Sequence, residues 1–73
     1  MATLSGVTAI ALAHLQAASD DLHAAYAEIM LAGPRLFGAR QARVAELVAH
    51  LDEVINDMDR LVVITEGDLR AGQ

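Results

Sequence analysis

Two long segments of the chain carry apolar side chains at helical spacing, and the pair Gly33-Pro34 separates them. The apolar face of the first segment consists of Leu4, Ala11, Leu15, Ala18, Leu22, Ala25 and Ile29. That of the second consists of Val44, Leu47, Val48, Leu51, Val54, Ile55, Met58 and Val62. Spacings of three and four residues are typical of amphipathic α-helices. Because Gly33 favours a helix stop and Pro34 cannot continue the hydrogen-bond ladder, the chain must turn between the two segments.

These patterns predict an all-α fold, an antiparallel two-helix hairpin forming a single domain over residues 1–73. Helix 1 is expected at about residues 4–32, the turn at 33–38, helix 2 at about 39–66 and a flexible tail at 67–73. Helices of similar length joined by a short connection pack as antiparallel neighbours. Alanines repeat every seven residues in helix 1 opposite larger side chains of helix 2, which favours coiled-coil-like packing. An ordinary hairpin without regular knobs-into-holes packing remains an alternative.

The short turn also predicts how the two helices are aligned. If they begin and end at the same levels, Leu22 lies beside Leu47 and the helix ends match. Leu36 and Phe37, in the connection, are then expected to fold inward onto the hairpin. Gly67 is expected to end helix 2, because glycine is the usual residue at a helix stop.

More of the chain is apolar than one hairpin can bury. Apolar residues make up 55% of the sequence, and two helices cover only the strip along which they touch. We therefore expect a second partner surface, most simply another copy of the chain in a four-helix bundle. The predicted partner-binding residues are Leu61, Val63, Ile64, Ala17, Ala24 and Leu31.

The charges of helix 2 suggest how two copies would be arranged. Arg40 and Arg43 lie near its start, whereas Asp57, Asp59 and Glu66 lie toward its end, so the charges oppose the helix dipole. In a two-fold dimer with the turns at opposite ends, the basic end of one chain lies nearer the acidic end of the other. Such exposed pairs contribute little energy but favour that orientation.

The leading functional hypothesis is a non-enzymatic protein–protein interaction module that self-associates as a homodimer or binds helices of a larger protein. A small chaperone or co-chaperone, an assembly subunit and an inhibitor all fit this description. In size and hairpin plan the chain is similar to the small co-chaperones of type III secretion needles. No cofactor or catalytic residue is expected. Ser19 and His23 share one side of helix 1, but Asp20 points about 100° away from its neighbour Ser19 and cannot orient the His23 ring.

A second hypothesis is a nucleic-acid-binding regulator that uses Arg35, Arg40 and Arg43, the one basic cluster in the sequence. A dimeric helical hairpin of this kind resembles the architecture of Rop-type RNA-binding regulators, without a shared motif. The net charge of −5 and the aromatic content of 3% make nucleic acid an unfavourable partner. Arg35 also suits a structural role, because it follows helix 1 and lies at the negative end of its dipole.

A third hypothesis is a metal-binding bundle built around His14 and His50. Glu46 and His50 lie four residues apart, a spacing that can share a metal ion. The Glu-x-x-His motif of di-iron bundles is absent, since the order here is His50-x-x-Glu53. The alternative is that these residues are solvated side chains at the rim of the hairpin, and we expect no metal.

The sequence predicts a cytoplasmic chain that does not enter a membrane. No Lys or Arg precedes Arg35, so the basic start of a secretory signal is missing. The apolar stretch at residues 7–15 is shorter than the ~20 residues that span a bilayer. With no cysteine, the chain has no disulfide framework.

Overall fold

The structure, a computed structural model, describes residues 4–72, with side chains from residue 6 onward. Helix α1 spans Leu4–Ala32, a single 3-10 turn spans Gly33–Arg35, and helix α2 spans Gly38–Ala71. The two helices pack against each other, and no strand occurs in the described range. The predicted all-α helical hairpin is confirmed.

Helix α1 ends in a tightly bonded turn. The Leu36 amide donates to the Gly33 carbonyl at 3.1 Å, which closes the 3-10 turn. The Arg35 guanidinium donates from Nη1 to the Leu31 carbonyl at 2.5 Å. Carbonyl groups in the last turn of a helix have no partner within the helix and carry its negative dipole end, so an arginine here satisfies one of them.

An extended dipeptide then leads the chain into α2. Leu36 (φ −108°, ψ 161°) and Phe37 (φ −133°, ψ 154°) have extended backbones, and Gly38 begins α2 with a φ of +61°. Residues that carry a side chain rarely adopt that left-handed backbone conformation, so glycine is the favoured residue here. Leu36 is half-buried, but Phe37 is 84% exposed. The expectation that Phe37 folds inward was wrong, because the extended link holds it beyond the end of α1.

The seam between the helices is narrow. Among the side chains described, only Leu12 and Ile55 are buried, at 9% and 5% exposure. Half-buried residues complete the seam: Leu15, Ala18, Leu22, Tyr26 and Ile29 from α1, and Val44, Val48, Leu51, Met58, Val62 and Leu69 from α2. The core is thus a strip between two helices and not an enclosed interior.

The alignment of the helices differs from the predicted one. A Cβ atom on Gly33 would lie 3.4 Å from the side chain of Val44, and the Ser19 hydroxyl lies 2.7 Å from the Asp59 carboxylate. Compared with the alignment predicted from matched helix ends, each residue of α1 therefore faces a residue that lies about two helical turns later in α2. The predicted pairing of Leu22 with Leu47 is wrong. The extended link carries the chain past the end of α1, so the first turns of α2 overhang.

Helix α2 also continues through Gly67, where it was expected to stop. It ends only at Ala71, where the Gly72 amide donates to the Asp68 carbonyl at 3.0 Å. Leu69 lies on the same side of α2 as Ile55 and is half-buried. A glycine inside a helix costs about 1 kcal/mol relative to alanine, which packing of the following turn can offset. The expected flexible tail is thus helical as far as Ala71.

The hairpin is elongated and exposes a large surface. It measures 55 × 17 × 14 Å, and its radius of gyration of 16.6 Å exceeds the ~11 Å typical of a compact domain of this length. Its accessible surface is 5463 Å², against about 4,300 Å² for an average folded monomer of the same mass. Each chain therefore leaves an excess of roughly 1,100 Å² uncovered.

The burial of Ile55 predicts that stability depends strongly on this side chain. Ile55→Ala is expected to lower the free energy of unfolding by about 2–4 kcal/mol, because it leaves a cavity in the seam. Ile64→Ala is the matched control, since Ile64 lies on the same helix and is 54% exposed. Urea denaturation at one fixed protein concentration measures both. Equal losses for the two variants would contradict the observed position of the seam.

Candidate interaction surface

One side of the hairpin carries a polar cluster that joins the two helices. The Ser19 hydroxyl donates to Asp59 Oδ1 at 2.7 Å, and His23 Nε2 lies 3.3 Å from Asp59 Oδ2. Further toward the open end of the hairpin, which is the end opposite to the turn, the Gln16 amide donates to Glu66 Oε1 at 3.4 Å. Asp59 thus receives two side chains from successive turns of α1, and these contacts show which turns of the two helices lie side by side.

This cluster does not have the geometry of a Ser–His–Asp triad. A nucleophilic serine needs a base that accepts its proton and a third group that orients the base. Here the Ser19 hydroxyl and the His23 ring both contact the Asp59 carboxylate instead of forming a Ser–His–Asp chain. His23 and Asp59 are about half-exposed, so solvent weakens their attraction. Sequence reasoning noted the Ser19–His23 spacing but missed Asp59, because the expected alignment placed Asp59 further along.

The opposite side of the seam carries a straight row of exposed apolar residues on α2. Leu47, Val54 and Leu61 are 45%, 42% and 45% exposed. They lie seven residues apart, which is about two helical turns, so they line up along the helix axis. Their nearly equal exposure shows that the hairpin leaves about half of each side chain uncovered along the whole row. We call these three residues the α2 row.

Small residues of α1 lie alongside the α2 row. On α1, alanines repeat at seven-residue spacing. They lie on one side of Leu22, and His23, which belongs to the polar side, lies on the other. Ala18 is half-buried, and the others are exposed. The repeat consists of Ala11, Ala18, Ala25 and Ala32. Together the alanine repeat and the α2 row make a flat apolar surface along the hairpin, which we call the apolar face.

The apolar face includes a groove where the two helices meet. Its volume is about 250 Å³, and its lining residues are Ile29, Leu47, His50, Leu51 and Val54. The groove is open to solvent and almost wholly apolar, with His50 at its rim. Ligand pockets enclose most of the ligand surface and place several polar groups to orient it. An open apolar groove instead suits side chains projecting from another helix. Neither helix, over the described residues, has an apolar stretch long enough to cross a membrane.

The six predicted partner-binding residues are all exposed but do not share one side of the hairpin. Leu61 belongs to the α2 row. Val63 is two residues further on and points about 200° away from Leu61, on the polar side. Ile64 lies on the outer side of α2. The remaining three lie on the outer side of α1, seven residues apart: Ala17, Ala24 and Leu31. That these residues contact a partner stays a prediction. Of the six, only Leu61 belongs to the apolar face, so a chain docked on that face would leave Val63 uncovered.

The basic cluster is divided among separate contacts. Arg35 bonds the Leu31 carbonyl, and Arg43 donates from Nη1 to Glu46 Oε2 at 2.8 Å. Arg40 has no ion-pair partner within the described part of the chain. Two of the three guanidinium groups thus have a partner within the hairpin, although Arg43 and Glu46 are both largely exposed.

The histidines considered for a metal site lie far apart. Gln16, two residues from His14, reaches Glu66, whereas His50 precedes Glu66 by sixteen residues, about 24 Å along the helix. Among the described residues, no three or more His, Cys, Asp or Glu side chains come together as a metal-binding group. His14 and His50 thus occupy separate positions at the rim of the apolar face.

Comparison of the chain with protein-family models, with curated protein sequences and with solved structures gave no match. A helical hairpin by itself is compatible with many unrelated functions. What distinguishes this hairpin is the contrast between a polar side that joins its helices and an apolar face that stays about half-exposed in the described part of the chain.

The polar cluster predicts unequal effects at two nearby aspartates. Asp59→Ala is expected to lower the free energy of unfolding by about 1 kcal/mol, because the part-buried Ser19 hydroxyl loses its acceptor. Asp57→Ala is the control, since Asp57 is exposed and pairs with Arg60 at 3.8 Å. Its effect should stay below about 0.5 kcal/mol. Thermal denaturation at fixed concentration tests the pair, and an equal effect would contradict the role of Asp59.

Proposed function

We propose that this chain is a non-enzymatic protein–protein interaction module that buries its apolar face against helices of a second chain. The α2 row carries the proposal, because three large apolar side chains aligned over four turns stay about half-exposed. The excess surface of roughly 1,100 Å² per chain supports it, since a stable interface covers about 800 Å² on each partner.

The mechanism is the docking of helices through regularly spaced anchors. A partner helix laid along the hairpin meets Leu47, Val54 and Leu61 once every two turns. Completing the burial of each half-exposed side chain contributes about 1 kcal/mol at ~25 cal/mol per Å². The alanines beside the row let the partner helix approach closely, which adds van der Waals contact.

This mechanism fits a small chaperone or co-chaperone, an assembly subunit or an inhibitor of a larger protein. In each of these roles, an apolar surface of a partner or of the chain itself is covered, and no covalent bond is made or broken. The engagement of Ser19 and His23 by a single carboxylate supports a structural and not a catalytic use of these residues. A cysteine-free chain requires no oxidising compartment, which agrees with a cytoplasmic location.

The apolar face predicts that Leu61→Asp weakens association. A charge in the α2 row would be buried without a partner when a second chain docks, so association should fall at least tenfold. Val63→Asp is the matched control, because Val63 is 63% exposed and lies on the polar side of the same helix turn. The measurement is the mass of the full chain by light scattering at micromolar concentration, together with retention of native-cell proteins identified by mass spectrometry.

Circular dichroism of both variants checks that the helices remain. Loss of self-association, or of one identified partner, in Leu61→Asp but not in Val63→Asp supports the proposal. Equal behaviour of the two variants in both measurements would show that the apolar face is not the interface.

A further inference from the structure

The α2 row continues in both directions to a charged residue at the same spacing. Arg40 lies seven residues before Leu47, and Asp68 lies seven residues after Leu61. Neither side chain has an ion-pair partner within the described part of the chain. From the turn to the open end, the extended row consists of Arg40, Leu47, Val54, Leu61 and Asp68.

This extended row is complementary to itself when two copies run in opposite directions. With Val54 at the centre, Leu47 of one copy meets Leu61 of the other. The same operation places Arg40 against Asp68 at both ends. Large apolar residues then pair in the middle, and an ion pair closes each end, which is the self-complementarity that a two-fold interface requires.

We propose that the occupant of the apolar face is a second copy of this chain, related by a two-fold axis near Val54, with the turns at opposite ends. This inference rests on the proposed function and specifies its partner. In the resulting four-helix bundle, α2 packs along α2 of the second copy and α1 along α1.

One alanine of the α1 repeat, Ala25, lies close to the same axis. Ser19 contacts Asp59, and Ala25 lies six residues after Ser19 whereas Val54 lies five residues before Asp59. Ala25 and Val54 therefore lie at about the same level, within roughly one helical turn. The two-fold axis that pairs Leu47 with Leu61 also pairs the alanines on either side of Ala25 with each other: Ala18 and Ala32. Small side chains there allow the α1 helices to approach to about 8 Å.

The distribution of charge favours the same orientation. The turn end carries Arg35, Arg40 and Arg43, and the open end carries acidic residues that include Glu66 and Asp68. Turns at opposite ends bring these regions of unlike sign together, whereas turns at the same end would bring like charges together. The dimer also brings Asp21 near Glu28 of the second copy. This contact between like charges opposes association, and it weakens as salt is added.

Single cysteines test the arrangement cleanly, because the chain has none of its own. Val54→Cys should form a disulfide-linked dimer under mild oxidation, since the two sulfur atoms meet at the axis. Val63→Cys, on the polar side, should stay monomeric on a non-reducing gel. Leu47→Cys and Leu61→Cys, mixed, should cross-link to each other at least tenfold faster than either variant alone.

Two results would overturn this arrangement. Cross-linking of Val54→Cys with Ala25→Cys, but not with itself, would show that the turns lie at the same end. A mass of one chain at micromolar concentration with no cross-link would show that no second copy binds. In that case the proposed function would still hold if Leu61→Asp, but not Val63→Asp, lost an identified foreign partner.

Charge reversal tests the ends of the row independently. Arg40→Asp or Asp68→Arg alone should weaken dimerisation roughly tenfold at low salt, because each places like charges together twice per dimer. The double variant restores the pair and should recover the original dissociation constant. It also suits the dipole of α2, with the acid near the start and the base near the end, so the helix is not weakened. A double variant as weak as either single variant would overturn the pairing.

Discussion

The seam between α1 and α2 is narrow, and the behaviour of the whole chain depends on that. Two helices can bury only the strip along which they touch. Among the described side chains, only Leu12 and Ile55 are therefore buried. The remaining apolar side chains must sit beside the strip, where one hairpin cannot cover them. An average folded monomer of this mass would expose about 4,300 Å², and this chain exposes 5463 Å².

The polar side and the apolar face, which lie on either side of the seam, have different roles. On one side, the contacts of Ser19 and His23 with Asp59 link the two helices within the chain. On the other, the apolar face presents the α2 row at equal exposure along its length. The polar side contributes specificity more than energy, because its groups are partly solvated. The apolar face contributes energy only when a second chain removes it from water.

Helical periodicity and the Gly33-Pro34 pair were sufficient to predict two helices and a reversal between them. The alignment of the helices was not predictable in this way, because it depends on backbone angles in the link. Leu36 and Phe37 are extended and Gly38 has a positive φ, so α2 begins beyond the end of α1. Asp59 therefore could not be matched with Ser19 from the sequence, although both residues were evident as polar groups.

By itself the sequence determined the helical class, the position of the turn and the excess of apolar side chains, since each follows from local spacing and composition. Only the tertiary structure decided which of those side chains remain uncovered together. Leu61 and Val63 look alike in the sequence, yet the seam places them on opposite sides of the hairpin. Packing also carried α2 through Gly67 to Ala71, because partial burial of Leu69 offsets the local preference of glycine to end a helix.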